Sequence, residues 1–547
     1  MRVLFGLIWL KGFEKGASMG DNLLSSKKPP QEAHNMKPHS EGHENPFQCS
    51  EDKFLTLCEA LSQDKIMTLS EIEGHLQEEG PKLMCQLIQD RLNLVSQSET
   101  SASMAIGPDK IKRKAKRRQS RQLESVYGTV VFTRLAYGKR GVASVHPLDA
   151  ELNLPEVKYS YGLQRIVGSE AGLRSFDEAL EQMQDVVAGH VPKRQAEQIL
   201  QQASVDFDHF YAQARAPVEG QGELLILSFD GKGIVMRPQD LKIPDSKRVA
   251  KGSPKSRRPF AKVTRDRKRM ATVCAVYSID RFARTPVMVA KSLYPSNKNE
   301  IRPKPIGKQL WASLEKSVQE MVENAFAQAA QRDPQKQKEW VALVDGNQHQ
   351  ITLLKRQSKK TGQKVRIIVD LIHVLEYVWK AAAAFYGEGT VQAQVWVNEK
   401  LLKILQGKSS LMAAAMRRQA TQRGLSGSQR LAVDKCANYL LNQKEHLRYD
   451  QYLSKGYPIA TGVIEGACRY LVKDRMERTG ARWRLLGAEA ILKMRALKTN
   501  GDFEQYWSFH QQQEQERNYG GLRKVFAGVR PKKKTASKQG YDRDEAA

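Results

Sequence analysis

Four carboxylates in this chain lie where metal-dependent phosphoryl chemistry would need them. Asp230, Asp345 and Asp370 each end an apolar run typical of a buried strand, and Glu465 lies in a helical segment further along. Hard divalent cations prefer oxygen ligands, and two such ions about 3.5–4 Å apart stabilise both the attacking and the leaving oxygen of a displacement. Distant carboxylates converge on such ions if each ends a neighbouring strand or faces the sheet from a helix. The spacing therefore predicts a metal site built from Asp230, Asp345 and either Glu465 or Asp370.

Each acid also has a structural explanation. Asp230 and Asp345 are both followed by glycine and could be turn residues. Asp370 could cap the helix that follows it, and this is the role that we favour for it. Glu465 could complete a capping box if Gly462 were the N-cap, but it lies one residue too far if the preceding threonine is the cap.

Strands that alternate with helices must position these acids. Three consecutive strands followed by strand–helix units predict a mixed sheet with helices packed on it, which is an α/β fold. Only helical signals occur over 387–455, which predicts an all-α insertion, and further core helices are expected over 456–510. The first part of the core, 222–386, is predicted to contain strands 223–230, 270–279 and 286–294, a helix at about 308–330, strand 340–347, a helix near 348–358, strand 364–371 and helix 373–386.

The two ends of the chain differ from this core. Residues 1–48 are polar and predicted to be disordered, apart from an apolar start of about signal-peptide core length. Because a charged flank and a basic chain follow that start, we interpret it as an upstream extension of the reading frame, with Met19 or Met36 as the true start. Residues 511–547 are predicted to be a basic, mobile tail.

Residues 49–215 are predicted to be a mainly helical DNA-binding region. Helical periodicity occurs over 51–98 and 161–213, with a small strand hairpin around Gly128 between them. The basic run 110–121 before the hairpin is either a solvated linker or an arm that contacts phosphates.

Two helices within 161–213 are joined by a tight turn that contains Gly189, and Pro192 is placed to start the second helix. This pattern predicts either a helix-turn-helix or a plain packing hairpin. In a helix-turn-helix, the N-terminus of the second helix contacts base edges. The residues there are Lys193, Arg194 and Gln195.

The charge of the chain points to a polyanionic partner. It has 88 Lys and Arg against 60 Asp and Glu, a formal net charge of +28 and a pI near 9.7, and clustered cations gain affinity by displacing counterions from phosphates. A generally basic protein or one drawn to anionic membrane is the alternative.

No apolar run approaches the roughly 20 residues of a membrane helix. The six cysteines include no C-x-x-C pair, which disfavours a zinc ribbon or a disulfide scaffold and suits a reducing, cytoplasmic protein that joins the nucleoid when bound to DNA.

Basic residues also lie close to the predicted metal site in sequence. Segment 242–270 has twelve basic residues and two acids, which predicts an exposed loop that follows phosphates, with a solvated loop as the alternative. Lys232 follows the first acid by two residues and is expected to neutralise a phosphate. Trp483 is expected either to stack on a base or to anchor the core. The other residues expected to contact DNA are Arg257, Arg258, Arg267, Lys268, Arg269, Arg478, Arg482 and Arg484.

Several long motifs resemble the insertion-sequence transposases of the ISKra type. They are LSFDGKGIVMR, ALVDGN, IIVDLIHVLEYVWKAA and GVIEGACRYLVKDRMERTGARW, joined in the N-terminal half by RQLESVYGTVVFTRLAYG, VHPLDAELNLPEVKYSYGLQ and VPKRQAEQILQQASVDFDHFY. The resemblance covers roughly residues 110 to 510 and implies an RNase H-like core with a DDE triad. Carried over to this chain, the triad is Asp230, Asp345 and Glu465, and Asp370 and His373 are supporting residues.

The resemblance implies a transposase that cleaves the ends of an insertion sequence and joins the 3′ ends to target DNA. We expect two Mg²⁺ ions, with Mn²⁺ as an alternative, held by the triad. The expected partner is double-stranded DNA, bound by a homo-oligomer, and no membrane. The alternatives are a structure-selective nuclease of the same fold and a domesticated, non-catalytic DNA-binding protein.

Overall fold

The computed structural model describes residues 45–62, 66–184, 187–213, 222–241, 267–292, 302–460, 462–520 and 522. Most of segment 1–48, most of the basic segment 242–270 and the tail beyond 522 lie outside these residues. The chain divides into two compact units. The hairpin unit contains the described residues of Gln31–Ala171, Phe176–Asp206 and Glu504–Ala547, and the sheet unit contains Gly172–Ser175 and the described residues of Phe207–Phe503.

The hairpin unit begins with helices and a small antiparallel sheet. A buried apolar cluster between the long second helix and the sheet includes Leu92, Val130 and Phe132. The elements in chain order are α1 (Gln48–Leu61), α2 (Leu69–Gln97), β1 (Ala105–Ile106), β2 (Lys112–Arg113), β3 (Ala115–Ser125), β4 (Gly128–Lys139), β5 (Val142–Val145), α3 (Pro147–Glu151), α4 (Tyr161–Leu173), α5 (Phe176–Gln184) and α6 (Lys193–Ala203).

The basic run 110–121 is mostly strand and is not a linker. β3 pairs antiparallel with β4 along its whole length, from Ala115 opposite Gly138 to Ser125 opposite Gly128. The ladder satisfies the backbone while most of the charged side chains of β3 stay exposed. Arg121 is different, because it bonds the buried carboxylate of Asp149 at 2.6 Å.

Helices α5 and α6 share one apolar cluster with α4. Met183, Ala196 and Ile199 pack there with Leu163 and Val167. Helix α6 begins directly after Pro192, which occupies the N-cap position. Two helices packed in this way are compatible with both the helix-turn-helix and the packing hairpin.

The sheet unit is built around one mixed five-stranded sheet, which makes this an α/β fold. The sheet consists of β6 (Leu224–Val235), β7 (Lys268–Ile279), β8 (Ile306–Ser313), β9 (Glu339–Val344) and β10 (Val365–Val369), in the order β10-β9-β6-β7-β8. β6, β7 and β8 pair antiparallel, whereas β9 and β10 run parallel to β6. The first six residues of β6 and the last five of β9 are buried, as is typical of central strands covered on both faces.

The third strand lies at a different place from the predicted one. Residues 286–294 were expected to be a strand, but Pro286–Ser292 is a helix, α8, and the third strand is β8, at the start of the region expected to be helical. Short apolar runs do not distinguish helix from strand by periodicity. Proline at the first position suits a helix, because its fixed φ is preorganised and its missing N–H is not needed there. β8 is a strand because β7 supplies its ladder, with Cys274 opposite Trp311.

Helices make up the rest of the sheet unit, and the region after Tyr386 is helical up to Ser454. Helices α13 and α14 of this insertion pack on each other, and α14 also packs on α11. The helices are α7 (Phe207–Gln213), α9 (Val318–Arg332), α10 (Gln348–Thr361), α11 (Leu371–Tyr386), α12 (Val391–Leu405), α13 (Ser409–Gln422), α14 (Gly427–Asn442), α15 (Tyr449–Ser454), α16 (Gly462–Ala467), α17 (Asp474–Met476) and α18 (Leu485–Asn500).

The last helix, α19 (Phe503–Tyr519), extends into the segment expected to be a mobile tail. It is anchored within the hairpin unit, where the Tyr506 hydroxyl donates to the Ala203 carbonyl and His510 bonds Asp206 at 2.7 Å. Across the described ranges, no helix combines the length and the apolar content of a membrane span. All six cysteines are unpaired.

Candidate active site

Asp230 lies on β6, and Asp345 directly follows the last residue of the neighbouring parallel strand β9. β6 and β9 pair in a constant register that ends with Ser228 opposite Leu343, so each acid lies two residues beyond the last paired position of its segment. Parallel neighbours lie about 4.8 Å apart, and residues opposite each other share a face of the sheet. The two acids therefore lie at the same end of neighbouring strands, and both residues are half-buried.

Asp230 is a strand residue and not the turn residue that the following glycine suggested. β6 continues past it to Val235, and Asp230 lies opposite Val273 of β7. One carboxylate oxygen accepts the N–H of Gly231 at 2.6 Å, and the other accepts the thiol of Cys468 at 3.2 Å. The rigid strand therefore holds this carboxylate at the sheet surface.

Asp345 lies just beyond the end of β9, in the short turn before α10. Its Oδ1 accepts the N–H of Asn347 at 2.7 Å, and Asn347 in turn caps α10. Its carbonyl oxygen accepts the hydroxyl of Tyr439 at 2.8 Å. Asp345 thus shapes a turn, as its glycine neighbour suggested, while one carboxylate oxygen has no part in that turn.

Asp370 continues the same row of acids but has the capping role that we favoured. Val369 of β10 lies opposite Val344 of β9, so Asp370 follows at the level of Asp345. The residue is 6% exposed, and its Oδ1 accepts the N–H of Ile372 as the N-cap of α11. His373 lies half-buried in the first turn of that helix.

Glu465 lies on α16, which packs on β6 and β7. The residue is exposed, and within the described chain no hydrogen bond or ion pair engages its carboxylate. Cys468, one residue beyond α16, donates its thiol to the Asp230 carboxylate at 3.2 Å, which links the segment that follows Glu465 to Asp230. The threonine before Gly462 lies outside the described residues, so the capping-box alternative stays a prediction.

Cys468 also begins a π-helical turn, Cys468–Lys473, directly after α16. Single π-turns occur often at functional sites, because the extra residue shifts the side chains that follow. Sequence reasoning missed both Cys468 and Tyr439. Neither had a local signal, because the hydrogen bonds that link them to the acids span 238 and 94 residues.

The carboxylates of Asp230, Asp345 and Glu465 do not lie close enough to one another to bind a single metal ion together. Among the residues that the structure describes, the group of three potential ligands whose atoms all lie within 4.8 Å of one another is Asp206, His510 and Glu514, in the hairpin unit. Arg517 bonds Asp206 at 2.6 Å and also contacts Glu514, so a cation already balances this cluster. Carboxylates without a cation repel each other, and a two-ion site is wider than a single coordination sphere.

The basic residues next to the triad differ in what they contact. Lys232 lies on the same strand as Asp230, and its Nζ is 3.9 Å from Oε1 of Glu477. Arg267 is half-buried and Lys268 is exposed at the start of β7. Arg269 donates to the carbonyl oxygen of Leu314 at 3.0 Å and so supports the fold.

Trp483 is a core anchor, one of the two roles that its sequence left open. The side chain is buried, its indole N–H donates to the Met476 carbonyl at 3.0 Å, and the guanidinium of Arg475 lies 4.9 Å from the ring centroid. A ring enclosed in this way is not available to stack on a base. The neighbouring arginines that were expected to contact DNA are exposed: Arg478, Arg482 and Arg484.

At the start of α6, Lys193 and Arg194 are exposed and Gln195 is half-buried. Lys193 pairs with Asp177 of α5 at 2.6 Å, an exposed contact of the kind that contributes little to stability. Arg257 and Arg258 lie outside the described residues.

Comparisons with known proteins add little to this picture. No protein-family model matches the chain, and no curated protein matches it. Among solved structures, it is similar to the Drosophila P element transposase strand transfer complex at 8% identity and a TM-score of 0.22, covering 69% of this chain and 88% of that chain. A likeness this weak says nothing about function.

Proposed function

We propose that this chain is a metal-dependent DNA transposase with an RNase H-like core, of the ISKra type that its motifs resemble. The observation that carries the proposal is that Asp230 and Asp345 each lie two residues beyond the paired part of two neighbouring parallel strands, with the Glu465 helix packed on the first strand. This arrangement supports a site shared by acids that are more than two hundred residues apart in the chain.

The sheet supports the fold part of the proposal. Three consecutive antiparallel strands, β6 to β8, occupy one part of the sheet, and β9 and β10 extend it on the other side of β6 as parallel strands. The helices α9 and α10 provide the crossovers to the two parallel strands. The first acid therefore lies on the central strand and the second directly after the end of its parallel neighbour.

The donor set suits Mg²⁺ or Mn²⁺. Asp230, Asp345 and Glu465 offer only oxygen, which these hard cations prefer. Two bound ions would supply stabilisation of the attacking and the leaving oxygen of a phosphodiester. The three carboxylates would hold and orient the ions, and the half-exposed Lys232 would offset phosphate charge near Asp230. In the proposed reaction, water cleaves the element end, and the released 3′ hydroxyl then displaces a target phosphodiester, with the target's own 3′ oxygen leaving.

The partner in this proposal is double-stranded DNA, bound by a homo-oligomer that joins two element ends. Exposed arginines at 478, 482 and 484 lie just after the Glu465 segment in the chain. The formal net charge of +28 would favour phosphate binding with a strong dependence on salt.

A cleavage assay on a linear duplex that carries the element's own ends tests the proposal. Wild type, Asp230→Asn, Glu465→Gln and Asp370→Asn are compared with Mg²⁺ and with EDTA. We expect metal-dependent nicking in wild type and in Asp370→Asn, and its loss in the other two with DNA affinity retained. Nicking that survives in Glu465→Gln and disappears in Asp370→Asn would move the third ligand to Asp370.

The same assay distinguishes the alternative functions. Joined products from a donor end with a free 3′ hydroxyl identify a transposase, whereas nicking without joining identifies a nuclease. Tight, salt-dependent DNA binding without metal-dependent nicking would contradict the enzymatic proposal and leave a DNA-binding protein.

A further inference from the structure

The helical insertion contacts the turn that carries Asp345 through two side-chain hydrogen bonds. Tyr439 of α14 donates its hydroxyl to the carbonyl oxygen of Asp345 at 2.8 Å. Gln443, directly after α14, donates its side-chain amide to the carbonyl oxygen of Gly346 at 2.7 Å. Consecutive carbonyls of the turn are therefore held by one end of one inserted helix.

Both donors are themselves fixed. The Tyr439 ring stacks on Tyr377 of α11, with ring centroids 4.1 Å apart and planes 14° from parallel. Gln443 is 4% exposed.

The turn is shaped to receive the tyrosine. Gly346 has a φ of +89°, and a Cβ atom added to it would lie 2.7 Å from the Tyr439 hydroxyl oxygen. Only glycine accommodates both this backbone conformation and so close an approach.

We infer that the insertion positions the Asp345 carboxylate for metal binding, with Tyr439 and Gln443 as its positioning residues. This inference rests on the proposed function, because it gives Asp345 a metal to bind. Hydrogen bonds around a metal ligand fix its orientation, and their loss commonly weakens metal binding by about 10- to 100-fold. The insertion thereby supports the second acid from outside the sheet.

Calorimetric titration of the full chain with Mn²⁺ tests the inference. Tyr439→Phe keeps the stacked ring and removes only the donor, and Gln443→Leu removes the second donor independently. Tyr452→Phe is the matched control, because its hydroxyl also donates to a backbone carbonyl of the insertion, that of Glu445 at 3.2 Å, but not to the Asp345 turn. We expect roughly tenfold weaker Mn²⁺ binding in Tyr439→Phe and in Gln443→Leu, and wild-type affinity in Tyr452→Phe.

Asp345→Asn separates a failure of this inference from a failure of the proposed function. If Asp345→Asn loses Mn²⁺ binding while Tyr439→Phe and Gln443→Leu bind like wild type, the positioning role is wrong and the metal site stands. If Asp345→Asn binds like wild type, the proposed function itself fails. If Tyr452→Phe weakens binding as much as Tyr439→Phe, the effect is a general loss of stability and the inference is overturned. Recovery of Tyr439→Phe nicking at raised Mn²⁺ would support positioning, because excess metal does not repair a misfolded chain.

Discussion

Replacing Gly346 by alanine should destabilise the sheet unit more than the same change at another glycine with positive φ. At a φ of +89°, an L residue is strained by its Cβ, at a cost of about 1–2 kcal/mol. The new methyl group would also lie 2.7 Å from the Tyr439 hydroxyl oxygen and 3.0 Å from a ring carbon. Either the turn that carries the new methyl group or the Tyr439 side chain must therefore move.

Tyr439 has little freedom to move away. Its ring stacks on Tyr377, and its hydroxyl bonds the Asp345 carbonyl. Relief of the clash therefore breaks that hydrogen bond or shifts the turn, at a further cost of about 1 kcal/mol. We expect Gly346→Ala to lower the free energy of unfolding by about 2–3 kcal/mol in total.

Gly362→Ala is the matched control, because Gly362 ends α10 at a φ of +68° and an added Cβ would meet no atom within 4 Å. This variant should show the backbone strain alone, about 1–2 kcal/mol. Urea unfolding of wild type and both variants, followed by circular dichroism and tryptophan fluorescence, measures the difference. Equal destabilisation of the two variants would refute the contact between Tyr439 and the turn.

Three further predictions concern other parts of the molecule. Burial, aided by the charge of Arg134, lowers the pKa of His146 to about 4, so the free energy of unfolding should fall by up to about 3 kcal/mol as the pH falls from about 6.5 towards 4. His146→Gln should flatten that part of a stability–pH curve, and an unchanged curve would contradict the lowered pKa. Asp370→Ala should lower the free energy of unfolding by about 1 kcal/mol, because the Ile372 N–H loses its N-cap acceptor, while Asp370→Asn keeps an acceptor and should unfold like wild type. Similar losses of stability in both variants would show that the charge matters more than the cap. Trp483→Phe should lower the free energy of unfolding by about 1 kcal/mol, because the indole N–H donor is lost, and it should leave DNA affinity unchanged in a fluorescence anisotropy titration at fixed salt. A clear drop in DNA affinity would show that Trp483 contacts DNA.

Local sequence was sufficient where the deciding interactions are local. The apolar runs before Asp230, Asp345 and Asp370 predicted strands because a strand covered on both faces needs unbroken apolar side chains. The cap at Asp370 was also predictable, because an N-cap bonds the N–H groups of the next residues in the chain. The constant spacing of parallel strands then carries such acids to one level of the sheet.

Tertiary structure decided the features that depend on distant partners. Residues 286–292 and 306–313 exchanged their expected helix and strand roles, because a short apolar run takes the form for which its neighbours provide partners. Trp483 is buried because Met476 and Arg475 close around it, which its basic neighbours in sequence do not reveal.

The same distinction holds at the candidate site. By itself, the amino-acid sequence determined that Asp230, Asp345 and Asp370 each follow the buried apolar part of a core strand, and the basic character of the chain follows from composition alone. The tertiary structure decided what surrounds those acids: the thiol of Cys468 on Asp230 and the hydroxyl of Tyr439 on Asp345. These contacts form only when the packing of helices on the sheet brings together side chains from different parts of the chain, so no pattern within either segment encodes them.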